Sequence, residues 1–548
     1  MPDKIQSQRV ICEGGLYTND NNLLLSDKLP GAATRLVNYE VSLSGGYRRL
    51  SGYNKYDIDY ELVDEAGAEG KILGLFIIES ASGSPEVYAA RKQIAGNAYN
   101  WYKFLAGVGW VAQATGLTLL FDDGVEEVNR IRFAKFNFGD GNQICLVDGI
   151  NNATLFDGTT WTNIDPAGTG ANYANAGSAQ ALEKPSIVAV FENHLFVGRD
   201  YQYKSIVAHS APSKAYDWTV ASGAGQIQAG FDTVAIKSFR TSLFVFGKNA
   251  IKKIEVDSAT ADFTIDDVTT NIGCIATDSV VEVSGDLVFL APDGFRPVAG
   301  TARIGDIEIE SISRPIQLLV NNIIEQEDLD TFVGVAVRKK SQIRFFYGEN
   351  STPTGAYGVI GGLRLSDSST TGVKWEWGQL LGISCSCVVS EFIDGDELVI
   401  HGDYNGGVYK QELGTSFNDN NITSIYAPPY LDQGDTEIRK TYRTLNIFIK
   451  SEGEIQMSVG TQMDWDDFRV LVPNNYVLDN GFGSPSLYDS GIVYDQTGIV
   501  YVGANSPVIR TNIEGSAMSI RHSFVTVGQD ASHSIQGFVI EFTPEDRR

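Results

Sequence analysis

One phrase returns seven times between about residue 70 and residue 415: an apolar strand, a tight polar turn, a second apolar strand, then another turn. The plainest copies are 234–239, Arg240-Thr241, 243–246, and 279–283, Ser284-Gly285, 287–290, Asp293-Gly294, Phe295. Related phrases sit at 72–78, 131–138, 187–197, 332–347 and 388–401. A spacing of roughly 45–60 residues is the range in which self-similarity marks solenoids, propellers or arrays. A sheet of three or four short strands cannot bury both faces alone. Stacking such sheets radially buries them and leaves only short edges. The pattern predicts a mainly β chain: a β-propeller of six or seven blades over 61–415, between an N-terminal arm at 1–60 and a C-terminal antiparallel β-sandwich or platform domain at 416–548. The arm, with its stretch 45–53, is expected to end by entering the first blade.

Tryptophans fall late in several repeats (Trp110, Trp161, Trp218, Trp375, Trp377), where a large ring near the outer strand fills the widening gap between wedges. One segment breaks the β pattern. Ile316, Leu319, Val320, Ile323 and Ile324 follow helical spacing after Pro315, which predicts an amphipathic helix over 315–327 packed on the ring. Beyond the repeats, Leu445, Ile447 and Ile449, then Ile455, Met457 and Val459, alternate on either side of Glu452-Gly453-Glu454, a hairpin with one buried face. Between later strands lies 481–507, rich in Gly, Ser, Asp and Tyr; so long a polar excursion in a compact β-domain is usually functional or mobile.

The charge balance excludes one class. With 42 basic against 68 acidic residues the net charge is −26, the wrong sign for gripping DNA by its phosphates. No apolar run approaches the ~20 residues of a spanning helix, and residues 1–8 have no apolar core of an export signal. The cysteines (Cys12, Cys145, Cys274, Cys385, Cys387) are odd in number and scattered, as expected of buried thiols in a protein made inside a cell.

The chemical motifs read as structure. Asp157-Gly158-Thr159-Thr160-Trp161 resembles the Asp-box turn of sialidase-like propellers but lacks a residue between Asp and Gly; an Asp-Gly hairpin followed by a packed Trp explains it. Asp122-Asp123-Gly124 and Asp394-Gly395-Asp396 lack the alternating carboxylates of a calcium loop. Cys385 and Cys387 share one face of a strand but have no second pair to make a zinc site. The five histidines sit in no HExxH motif, and neither GxSxG nor a P-loop is present. No catalytic, cofactor or metal residue is assigned. The clusters Lys248/Lys252/Lys253, Arg338/Lys339/Lys340 and Arg439/Lys440/Arg443 read as solvated strand ends or subunit contacts. Arg48-Arg49, between aromatics, suits bidentate pairing with carboxylates of a neighbouring ring.

The stretch 31–40 (GAATRLVNYE), followed by 45–53 (GGYRRLSGY), resembles the opening of tail nozzle proteins of short-tailed bacteriophages, also called tail tubular protein B or tail stabilization proteins. The likeness continues in order at 191–197, 210–218, 243–254, 271–280 and 289–296, and covers most of residues 14–415. The resemblance implies a propeller-bearing structural subunit in a homohexamer, docked to the adaptor or upper tail ring and to tail fibres, closing the distal ejection channel. Such a protein would be assembled in the host cytoplasm and reside in the virion tail.

On this reading Tyr47, Arg48, Arg49 and Tyr53 are candidate ring contacts, and Phe482, Tyr488, Asp489, Tyr494 and Asp495 are candidate gate or tip residues. Six copies of −26 give −156 around one channel, a like-signed wall past which double-stranded DNA slides without tight binding. The alternative is a propeller that binds or degrades a host glycan, which Trp and Tyr clusters exposed on one face would favour.

Overall fold

The computed structural model describes residues 5–19, 21–42, 45–57, 70–79, 84–93, 97–165, 181–257, 262–298, 311–349, 355–365, 373–393, 395–466, 475–479 and 508–545. The repeats fold as antiparallel meanders, each a propeller blade. The first runs Ile72–Glu79, Pro85–Lys92, Tyr99–Leu105, Gly109–Ala112, and the second Arg132–Phe136, Gln143–Val147, Thr154–Phe156, Trp161–Asn163. The third comprises Ile187–Phe191, His194–Gly198, Ile206–His209 and Gly225–Gln228; the fourth comprises Thr233–Phe239, Ser242–Gly247, Ile251–Val256 and Phe263–Thr269. The fifth has three strands, Val281–Val283, Asp286–Ala291 and Gly294–Pro297. Glu192-Asn193 and Ser284-Gly285 take positive φ at both central positions of their two-residue turns, the geometry whose twist matches the flanking strands.

The sixth blade, Cys387–Ile393, Asp396–Gly402 and Val408–Gln411, is completed from the other end of the chain. Tyr53–Lys55 adds as its outermost strand, with Tyr409 opposite Lys55 and Gln411 opposite Tyr53. The arm therefore locks the last blade instead of entering the first. A ring built from one chain needs such a latch, and three residues are too few to show a strand's alternation in sequence.

Between the fifth and sixth blades stands a further sector, Val333–Val337, Gln342–Tyr347, Tyr357–Leu365 and Val373–Leu381. Its last strand does not end in solvent. Arg35–Val37 pairs with it in parallel, Val37 opposite Gln379, and carries the sheet on through Ile422–Ala427, Ile520–Gly528, Gln456–Met463 and Tyr476–Asp479. The propeller thus has six blades that are sheets of their own, and one sector shared with a nine-stranded sheet. Among the described residues six buried apolar clusters occupy successive gaps around the ring, and a seventh runs from the gap between the fifth blade and the shared sector into the C-terminal sheets. Trp161 fills one of them as expected, stacked on Phe156 with centroids 4.1 Å apart and on Trp101 at 5.6 Å.

The C-terminal half of the nine-stranded sheet faces a second sheet built on Lys440–Ser451 and His533–Pro544, flanked by Gln6–Ile11, Tyr39–Val41, Tyr47–Arg49 and Val508–Asn512. Leu445, Ile447, Met457, Val459, Phe524, Phe538 and Ile540 pack between them at full burial. The predicted helix is a 3-10 turn, Arg314–Ile316, leading into Gln317–Gln326, with Ile316, Val320 and Ile323 buried in that same core. No helix among the described residues is long and apolar enough to cross a membrane.

Candidate functional site

The first strand of each blade lies innermost, and together these strands enclose an axial cavity of about 360 Å³. Its wall is small and aliphatic: Val188, Ala235, Ile236, Val281, Val333, Gly334, Val335, Ala336, Val388 and Val389. Charge is confined to the two ends.

At the end where the inner strands begin, the cavity is pinned shut. Arg130 donates from Nε to the Ser386 carbonyl at 2.9 Å, from Nη1 to the Phe332 carbonyl at 2.9 Å, and from Nη2 to that of Thr331 at 3.0 Å. Its Nη1 also meets Asp278 Oδ2 at 2.5 Å. Arg132 grips Asp278 with both Nε and Nη2 at 2.7 Å and donates to the Ser186 carbonyl at 3.0 Å. These partners precede four inner strands and the arginines lead into a fifth, so two guanidiniums and one carboxylate tie five sectors at the axis. Burial opposes ionisation of Asp278, but the two arginines outweigh it and hold the carboxyl well below the usual range. The same carboxylate keeps the buried Arg130 charged.

At the other end the charges are open. Lys237, two residues before the end of its inner strand, Glu282, within its short one, and Arg338, just after its own, line the mouth and remain in contact with solvent. Among the described residues neither Lys237 nor the Arg338 guanidinium has a hydrogen-bond or ion-pair partner. The surrounding strands desolvate the Lys237 ammonium and lower its pKa; Glu282 acts against this and Arg338 with it. Glu391 lines the same mouth and pairs with Lys135 at 2.7 Å. Beyond that pair opens a cleft of about 330 Å³ between the first, second and sixth blades. Phe136, Phe392, Asn137, Asn142 and Gln143 are on its wall. Arg338 lies over the Phe392 ring, 5.7 Å from its centre, and so joins cavity and cleft.

The residues singled out from sequence lie elsewhere, and the ring-contact expectation is corrected for three of them. Tyr47 is fully buried and donates to the Gly31 carbonyl at 3.0 Å; Tyr53 is buried and donates to that of Gly382 at 3.2 Å. Arg49, 1% exposed, donates to the carbonyls of Asp530, Gly528 and Ile422. Tyr47 and Arg49 are consumed by the joint between the arm and the C-terminal sheets, Tyr53 by the gap between the sixth blade and the shared sector, and none of the three presents a surface to a neighbouring copy. Arg48 is partly exposed but pairs within the chain, with Glu40 at 3.4 Å and Glu452 at 3.2 Å. Phe482, Tyr488, Asp489, Tyr494 and Asp495 lie outside the described residues.

Other motifs resolve as structure. Asp157 Oδ1 accepts from the Thr159 and Thr160 amides, and the neighbouring Gly158 takes φ 95°. Cys385 and Cys387 are buried but enter different apolar clusters, since Cys385 precedes the strand instead of sharing its face. No group of His, Cys, Asp and Glu able to hold a metal occurs among the described residues. Among the described residues the exposed tyrosines are spread out: Tyr201 and Tyr203 sit in the link after the third blade's second strand, Tyr216 in the link after its third, at the blade's opposite end, and Tyr357 begins a strand of the shared sector, while the exposed Trp465 follows Gln456–Met463 in the C-terminal part. Lys237 and Glu282 were missed because each is a lone charge in an apolar strand, and Arg338 was noticed only as part of the cluster Arg338/Lys339/Lys340, read as a solvated strand end or subunit contact. The one available signal was period two, which sets Lys237 on the same face as Ala235.

No family model matches this chain, and no curated protein matches it. Solved structures do. An exo-β-1,3-galactanase from Phanerochaete chrysosporium, solved with galactose, is 10% identical at a TM-score of 0.24, over 90% of this chain and 100% of that one. The extracellular domain of a one-component system from B. thetaiotaomicron is 8% identical at 0.33, over 72% and 43%. An ancestral GH74 enzyme is 10% identical at 0.31, over 69% and 50%. Likenesses this distant carry no argument about chemistry.

Proposed function

We propose that the chain is a non-catalytic structural subunit of a short-tailed bacteriophage tail nozzle, assembled with copies of itself into a hexameric distal channel below the adaptor ring. The observation that carries this reading is the pinned axis. Glycoside hydrolysis calls for two carboxyl groups about 5–9.5 Å apart, one of them protonated. Asp278 is held ionised between two guanidiniums, and Glu391 is engaged by Lys135 at 2.7 Å. Two of the three acids that line the cavity are thus used to hold blades together, which suits a load-bearing part and leaves Glu282 without a second free acid beside it. An axial cavity of about 360 Å³ closed at one end also cannot pass a duplex, so a conduit would have to lie between copies. The ordered resemblance over residues 14–415 supplies the identity of the assembly. Negative-stain imaging of the purified chain with its adaptor ring tests it: six-fold tubes support the reading, and persistent monomers overturn it.

A second reading, a saccharide-binding propeller, is favoured by one observation. The open mouth holds two unpaired cations, and one of them, Arg338, lies over a ring of an adjoining cleft lined by aromatic side chains and amides.

A further inference from the structure

We infer that the open mouth of the axial cavity binds an acidic saccharide, with Lys237 and Arg338 receiving the carboxylate and the Phe392 cleft receiving the adjoining sugar. The inference rests on the saccharide-binding reading and narrows its ligand; it is independent of the nozzle assembly. Three features converge on this ligand. First, Lys237 of the fourth blade and Arg338 of the shared sector stand on either side of the fifth blade without partners, whereas the arginines at the sealed end are all engaged. Two unpaired cations against the single free acid Glu282 leave room for one more negative charge. Second, enclosure by the inner strands weakens the hydration of the Lys237 ammonium, and an anion seated beside it would restore what water no longer supplies. Third, the neighbouring cleft has the composition that sugars meet: the exposed Phe392 ring for a pyranose face, and Asn137, Asn142 and Gln143 for hydroxyls. Because Arg338 lies over Phe392, a charge and a ring-stacking surface stand side by side, as a uronic acid linked to a second sugar requires.

Glu282 gives the proposal a sign of its own. It is the acid whose field reaches Lys237, so it competes with an incoming carboxylate. Removing its charge should tighten binding, an effect that a purely structural Glu282 would not have.

The test is isothermal titration calorimetry of the full-length protein with digalacturonate and with its dimethyl ester, which keeps the sugar and removes the charge. The expected result is binding of the acid at least ten-fold tighter than the ester. Lys237→Met and Arg338→Gln should each weaken it about ten-fold with melting temperature unchanged, Phe392→Ala should weaken acid and ester alike, and Glu282→Gln should strengthen the acid several-fold. Equal binding of acid and ester would overturn the acidic class while leaving a saccharide site standing. No binding of either would overturn both. Unchanged affinity in Lys237→Met and Arg338→Gln would remove the site from the mouth.

Discussion

Arg130 and Asp278 are 148 residues apart in sequence, 2.5 Å apart in space, and tie the second blade to the fifth across the axis. A buried guanidinium that loses its carboxylate, or the reverse, leaves an uncompensated charge, which typically costs about 3–5 kcal/mol. Asp278→Asn, which takes the shared carboxylate from both Arg130 and Arg132, should therefore lower the unfolding free energy by about 3 kcal/mol in a denaturant titration, with Arg130→Met in the same background restoring part of it. A loss below about 1 kcal/mol would remove the pin from the account. A second charge cluster acts at the junction of arm, shared sector and sixth blade. Glu40, 2% exposed, receives Lys340 at 2.8 Å and Arg344 at 3.4 Å, while Glu412 receives Lys340 at 2.5 Å and also Arg344. Burial would raise the Glu412 pKa, but Arg344 and Lys340 outweigh it and bring the carboxyl down to about 2. A carboxyl depressed in the folded state contributes stability above its unfolded pKa of about 4.3, and loses it as pH falls toward the folded value. Thermal melts should fall between about pH 5 and pH 2, and the fall should be shallower in Glu412→Gln.

At the scale of elements, the joints matter more than the blades. The strand Tyr53–Lys55 closes the sixth blade, and Gly52 sets its approach: a Cβ there would stand 2.0 Å from the Ser416 carbonyl oxygen. Gly52→Ala should accordingly unlatch the ring, costing on the order of 1–3 kcal/mol. Hydrogen exchange should then rise first along Val408–Gln411, the strand that loses its neighbour. Exchange that rises uniformly over the chain would contradict a local latch. The helix shows the opposite situation. Ile316, Val320 and Ile323 carry its position in their spacing, so it was legible in sequence; Arg35–Val37, which joins propeller to sandwich, was not, because its hydrogen-bonding partners come from residues 379 and 425–427.

For the whole molecule, the net charge of −26 bears on partners, not on fold. A structural conduit of this sign should not retain DNA. In an electrophoretic shift at low salt, where phosphate contacts are strongest, the assembled protein is expected to leave a linear duplex unshifted. Retention that weakens steeply with added salt would point instead to a basic face presented to the nucleic acid. The nine-stranded sheet adds a mechanical expectation at this scale: propeller and C-terminal sandwich share hydrogen bonds across Arg35–Val37 and should unfold in one calorimetric transition.

Residue patterning alone determined the repeat, the β class and the helix, because each rests on periodicity within one element, and burial on one face writes that period into the chain. Tertiary structure alone decided where the ring closes, that its seventh sector belongs to a larger sheet, that Arg49 and Tyr53 face inward, and that Lys237 and Arg338 line one open mouth. Those outcomes depend on pairings between residues tens to hundreds of positions apart. Nothing local distinguishes a strand that finishes a distant blade from one that begins its own, or a charge aimed at the axis from one aimed at solvent.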